Sequence, residues 1–171
     1  MKGDYGEIKF IHYIQELPAK IGEGYKELTA KLMAAISFPF HFKIFIILVF
    51  LLYYNNQINS DQLFIILYSQ LIITLIKFII KRERPYKKDK SIELLEPMSM
   101  DPYSFPSGHT MNACLLSYFL YKNTKSSIYK YLPFMVGFSR VFMGVHYPSD
   151  IIGAIILSKI ILHIRIYESA E

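Results

Sequence analysis

Residues 62–80 read QLFIILYSQLIITLIKFII, a run in which Lys77 carries the only formal charge. A helix of about 20 apolar residues matches the hydrocarbon thickness of a bilayer, so this stretch predicts a membrane span. Working outward, residues 36–54 form a comparable run that ends at Asn55–Asn56, and further apolar stretches cover roughly 109–121, 128–145 and 150–166. The third is short, and Lys159 and Arg165 near the end of the fifth can snorkel to the interface. Hydrophobic residues make up 53% of the 171-residue chain, more than one small soluble core could hide. The expectation is an all-α fold: an integral membrane helical bundle with about five transmembrane helices.

Upstream of residue 36 the pattern changes. Ile8, Phe10, Ile11, Ile14 and Leu17 share one side of a helix over 5–17, and Pro18 interrupts it. A second stretch carries Tyr25, Leu28 and Leu32, with Lys26, Glu27 and Lys31 between them. Neither is apolar enough to span. They read as amphipathic helices lying in the interface or, equally well from the pattern, packed against the rest of the protein. The chain therefore divides into interfacial helices (1–35) and a transmembrane bundle (36–171). Asp4, Glu7 and Glu16 break up the N-terminal segment, so it does not read as a secretory signal. The single cysteine, Cys114, leaves no disulfide within the chain and reads as a small hydrophobe.

The connection 81–108 contains Pro85, Pro97, Pro102 and Pro106 and cannot be one helix. With five spans, the end of the second, the start of the third and the end of the fourth lie on one side. Three groups of polar residues sit at those ends. In the first, Lys77 is followed six residues later by Arg84–Pro85. On a continuing helix Lys77, Lys81 and Arg84 would share a face, and a lysine as deep as Lys77 needs an anion. In the second, Pro106–Ser107–Gly108–His109 opens an apolar run. Ser107 is a good N-cap, Gly108 allows close backbone approach, and the free N–H groups suit phosphate. In the third, Ser139–Arg140 is followed by His146 and Asp150. Pro148 forces Tyr147 to be extended, placing His146 on a loop, where an imidazole contributes little packing. Asp150 in the next first turn can hold one of its nitrogens and leave the other free to attack. Arg140 supplies a planar fork for phosphate oxygens. Each group alone has a bland explanation: snorkelling cations, a helix cap, or an Asp cap beside an interfacial His.

Together the groups resemble the signature motifs of the type 2 phosphatidic acid phosphatase superfamily: K-x6-RP, PSGH and SR-x5-H-x3-D. All fixed positions match, in order, over residues 77–150. The resemblance implies a helical bundle with a phosphatase site that uses no metal and no other cofactor. It implies His146 as nucleophile, forming a phosphohistidine, with Asp150 orienting it and His109 protonating the leaving oxygen. It also implies Lys77, Arg84, Ser107, Gly108 and Arg140 as the groups that hold the phosphate. Three cations in place of a metal suit phosphoryl transfer, which depends on positioning and electrostatics. Membrane members of the superfamily typically have six spans, and here the N-terminal amphipathic helices stand in for the first.

The implied substrate is a lipid phosphomonoester, with lipid A 1-phosphate or phosphatidylglycerophosphate ahead of phosphatidate or an isoprenoid pyrophosphate. Transfer of the phosphate to a second lipid would use the same site. Lys77, Lys81, Arg82, Arg84, Lys87, Lys88 and Lys90 run straight out of an apolar helix, which favours headgroups and substrate phosphate over nucleic acid as partners. Nothing in the sequence requires an oligomer. Counted by the positive-inside rule, Lys2, Lys9, Lys20, Lys26, Lys31 and the 81–90 cluster put the motif side in the cytoplasm. Lys122, Lys125 and Lys130 lie on the other side. Phosphate binding and anchoring account for many of the motif-side cations, and the resemblance implies a bacterial inner-membrane enzyme with its site facing the periplasm. The N-terminal apolar face would then border the route by which a headgroup arrives.

Overall fold

Long apolar runs dominate the chain, and the computed structural model is predominantly helical, describing residues 3–95 and 101–168. Lys2, Pro97 and the side chain of Arg165, all used in the sequence reading, lie outside the described residues. Two N-terminal helices come first, α1 (Gly3–Glu16) and α2 (Glu23–Ser37). After a 3-10 turn at Phe38–Phe40 come α3 (Phe42–Tyr54) and α4 (Ser60–Ile80), then the short α5 (Pro85–Lys88). The chain ends in α6 (Gly108–Thr124), a 3-10 turn at Ser127–Tyr131, α7 (Leu132–Phe142) and α8 (Pro148–Glu168).

Local chemistry sets the boundaries. Asn59 opens α4 with a reciprocal capping box, its side chain accepting from Gln62 N while Gln62 Oε1 accepts from Asn59 N. Ser107 caps α6, its Oγ accepting from Thr110 N. Prolines start α5 and α8, where a missing N–H costs nothing.

The core is centred on α6, which packs against α3, α4, α7 and α8. Met111, Leu115 and Phe119 on α6 meet Phe45, Val49, Ile66, Ile73, Val136 and Ala154 there. Gly137 lets α7 and α8 approach closely, since a Cβ at that position would stand 2.5 Å from Ile151 Cγ2. The outer faces stay apolar. Only 22% of the α4 apolar window is buried, whereas the core helix of a soluble protein is mostly covered. On α8, Ile152, Ile156, Ile160 and Ile164 recur at i+4 and are all exposed. Such continuous exposed apolar faces are stable against hydrocarbon, not water. Among the described residues α4 alone is long and apolar enough to cross a bilayer unaided.

Three sequence expectations need correction. The run 36–54 is not one helix. Pro39 sits in the turn between α2 and α3, which are long and apolar enough to span only as a pair bent by 54°. The helix carrying Lys77 does not continue to Arg84. It ends at Ile80, and Lys81 adopts a left-handed cap (φ 52°) whose N–H returns to Lys77 O at 2.9 Å. Finally, Ile11 and Ile14 do not lie beside headgroups. They are buried against Val141, Phe142, Met143, Val145 and Tyr147, so packing claims this half of the α1 face. Phe10 and Leu17 stay exposed, as do Tyr25, Leu28 and Leu32 on α2.

Candidate active site

The ends of α4 and α7 and the starts of α6 and α8 meet at one end of the bundle, so all three sequence groups converge. A cavity of about 330 Å³ opens there, lined among others by Lys77, Arg84, Gly108, His109 and His146. Ser107, Arg140 and Asp150 stand behind this lining. All three are buried.

Each side chain arrives by a different local device. Lys77 rides the last turn of α4, and its ammonium donates to Asp101 Oδ1 (3.0 Å), Asp101 Oδ2 (3.2 Å) and Tyr103 O (2.9 Å). Arg84 is delivered by an extended segment. Glu83 pairs with Tyr103 in an isolated antiparallel bridge, and Pro85 holds Arg84 in the β region. The Arg84 guanidinium donates to Asp101 O (2.9 Å), Asp101 Oδ1 (3.2 Å) and Val145 O (2.9 Å). His109 occupies the first turn of α6, behind the Ser107 cap.

His146 sits in the α7–α8 loop, shaped by Gly144 at φ +73°, where any Cβ would collide with the Glu93 carbonyl oxygen. Its Nδ1 lies 3.3 Å from Asp150 Oδ2, which also accepts from Tyr147 N at 2.9 Å. A carboxylate only accepts, so Nδ1 carries the proton and Nε2 keeps its lone pair, 3.5 Å from Arg84 Nη1. Burial first, then the charges of Arg84, Lys77 and Arg140, hold the imidazole well below the usual histidine range. The result is a neutral imidazole, fixed in one tautomer, facing a cluster of cations. Contrary to expectation, the ring is buried rather than loosely loop-borne.

Several residues of the site escaped the sequence reading. Asp101 places its carboxylate between Lys77 and Arg84. Burial opposes its charge, but Lys77 and Arg84 hold the group below the usual carboxylate range. Chemically it stands where a phosphate bound to the same two cations would put its oxygens. His41 lies in the break between α2 and α3, its ring 5.9 Å from that of His109, and lines the cavity together with Lys43. The His41 Nδ1 atom is buried without a hydrogen-bond partner. Ser37 Oγ accepts from Arg140 Nη1 at 2.9 Å. The one available signal was the Phe38-Pro39-Phe40-His41 interruption of an apolar run, which marks a break where polar groups can turn inward. Arg82 was hidden in a run of seven cations, and its bonds run to α1 and α8 instead of into the cavity. Among the described residues no three His, Cys, Asp or Glu side chains group as metal ligands.

Comparison with known proteins agrees with this arrangement. Phosphatidylglycerophosphatase B of Bacillus subtilis (strain 168) is 36% identical over 34% of this chain and 36% of its own length. Undecaprenyl-diphosphatase BcrC of the same organism is 36% identical over 53% of this chain and 45% of its own. The chain thus matches less than half the length of either curated relative. The crystal structure of a transmembrane PAP2-type phosphatidylglycerolphosphate phosphatase from Bacillus subtilis superposes with a TM-score of 0.71 at 21% identity, covering 95% of this chain and 86% of that one. LpxE of Aquifex aeolicus superposes at 0.66 and 20% identity, covering 88% and 93%. Those likenesses establish the all-α membrane bundle as the fold. The PAP2 superfamily profile matches residues 60–168, from the cap of α4 to the end of α8 and through every motif position, and the chain belongs to that superfamily.

Proposed function

We propose that the chain is a membrane lipid phosphatase that works through a phosphohistidine on His146. The observation that carries this reading is the meeting of Lys77, Arg84, His109 and a tautomer-fixed His146 around one cavity. In the first step His146 Nε2 attacks phosphorus, the bond from phosphorus to the lipid oxygen breaks, and His109 gives that oxygen its proton. Lys77, Arg84 and Arg140, with Ser107 and the Gly108 backbone, offset the charge on the phosphoryl oxygens. Asp150 stabilises the imidazolium. In the second step water attacks the phosphohistidine, the P–N bond breaks, and His109 takes the proton from the water.

The names of two of the proteins it resembles support phosphatidylglycerophosphate as the substrate, and lipid A 1-phosphate stands beside it on the motif resemblance. A second reading has a specific observation behind it. His41, whose ring contacts that of His109, lines the cavity together with Lys43. They suit a leaving group that carries a phosphate of its own, as an isoprenoid diphosphate does. Release of inorganic phosphate from these lipids and from phosphatidate, in detergent with excess chelator, tests both. We expect turnover that survives chelation. Loss on chelation with recovery on a divalent ion would overturn the metal-free mechanism. Phosphate passing to a second lipid instead of into solution would make the enzyme a phosphotransferase.

The site is proposed to face the periplasm of a bacterial inner membrane, on the strength of the motif resemblance. With Cys114 replaced by Ala, a cysteine at exposed Lys81 should react with an impermeant thiol reagent in cells with a permeable outer layer and an intact inner membrane. Labelling only after the inner membrane is broken would place the site in the cytoplasm.

A further inference from the structure

Arg82 lies outside the signature positions, yet it makes the densest set of ionic contacts at the site. Its Nη1 donates to Asp150 Oδ1 and to Ser149 Oγ, both at 2.6 Å. Its Nη2 donates to Asp4 Oδ1 at 2.7 Å and Glu7 Oε2 at 2.9 Å, both on α1. The flat face of the guanidinium covers the Tyr147 ring, 3.9 Å from its centroid. Glu7 also accepts from Ser149 N (2.7 Å) and Ser149 Oγ (2.9 Å). One guanidinium therefore joins α1, which lies outside the span matched to the superfamily, to the first turn of α8.

The two oxygens of Asp150 divide the work. Oδ2 faces His146 and Tyr147 N, and Oδ1 faces Arg82. Asp150 is fully buried, and a buried carboxylate without a cation is costly and tends to protonate. Arg82 alone would solve that problem and create another. A carboxylate neutralised by its own arginine does little for a positive charge growing on His146. Asp4 and Glu7 remove the conflict. With Lys88 also paired to Asp4, three carboxylates face two cations here, and one negative charge is left over.

We propose that Arg82 is a positioning residue for the nucleophile: anchored by Asp4 and Glu7 of α1, it locks Asp150 against His146 without cancelling the charge of that carboxylate. The inference rests on the phosphohistidine reading above. It assigns α1 a part in catalysis and not only in packing. The other charged or titratable groups acting on His146 are Lys77, Arg84, Arg140 and His109 on one side and Asp101 on the other.

The test compares wild type, R82Q, R82K, the double variant D4N/E7Q and H146A on one lipid phosphate. It records kcat, KM, thermal stability and the acid limb of kcat/KM. R82Q should lose about 10- to 100-fold in kcat, the size of loss typical when the partner that orients a metal-bound histidine is removed. KM should hold, because Arg82 does not line the cavity. Its acid limb should move to higher pH, because Asp150 without its cation makes His146 easier to protonate. D4N/E7Q should move the limb the opposite way, because the Arg82 charge then falls undivided on Asp150. R82K keeps the charge but not the fork and should recover part of kcat. Wild-type kcat in R82Q would overturn the proposal. So would losses that merely follow thermal stability with the pH profile unmoved. If R82Q does not fold, the pH shift of D4N/E7Q decides by itself. A wild type inactive on every lipid phosphate, or an H146A variant as active as wild type, would overturn the phosphohistidine reading itself, and this inference with it.

Discussion

His146→Ala should abolish phosphate release from every lipid substrate, a loss on the order of 10⁴-fold or more, as when a nucleophile is removed from a concerted site. Rapid quenching of the wild type without acid should trap phosphate on His146, and the variant should trap none. Because the ring is buried and bonded to Asp150, its removal also leaves a buried acceptor short of a partner, at about 1–3 kcal/mol. A lower thermal midpoint is therefore expected together with the lost turnover. His146→Gln, which refills part of the volume, should recover stability and not activity. Wild-type activity in either variant would remove His146 from the mechanism. The acid limb of kcat/KM carries a second mark of this histidine. Its pKa is depressed by burial and by Arg84, Lys77 and Arg140, so the neutral, attacking form persists below the ordinary imidazole value of about 6.5. Activity should fall only as pH drops through that depressed value. An acid limb at or above 6.5 in the wild type would contradict the assignment.

The second large effect concerns His109 and depends on the leaving group. A general acid matters most when the departing oxygen is a poor leaving group, such as a lipid alkoxide, and contributes about 10²- to 10⁴-fold. His109→Ala should show a loss of that size on a lipid phosphate. It should stay within about tenfold of wild type on an activated aryl phosphate, whose oxygen leaves without a proton. His146→Ala should lose both substrates. Equal losses on lipid and aryl phosphates in the His109 variant would make it a phosphate-holding group, in keeping with its place in the first turn of α6.

Much of this architecture was legible before any coordinates. The apolar runs and the Ser107 cap are local signals, and helices follow local signals. The convergence of Lys77, His109 and His146 was legible for a related reason: an antiparallel bundle with short connections leaves little choice about which helix ends are neighbours. Extrapolation failed where geometry was not local. Lys77 and Arg84 share a site, but not through helical periodicity. The left-handed cap at Lys81 and the Glu83–Tyr103 bridge replace the helix there, and the bridge needs a segment twenty residues away. The 36–54 run was read as one span although it holds Pro39, and nothing in it told that the break there would turn His41 toward His109.

By itself, then, the sequence determined a membrane helical bundle and the residues proposed to perform phosphoryl transfer, because apolar runs, capping and motif spacing are properties of the chain. Only the tertiary structure decided how those residues are held. Ile11 and Ile14 look the same on a helical wheel whether they face lipid or core, and packing against Val141 and Tyr147 settles it. Asp101 and Arg82 are ordinary surface charges in one dimension. Their roles arise from partners 24 and 68 positions away, Lys77 for one and Asp150 for the other, and Coulomb forces depend on distance in space, to which spacing along the chain is no guide.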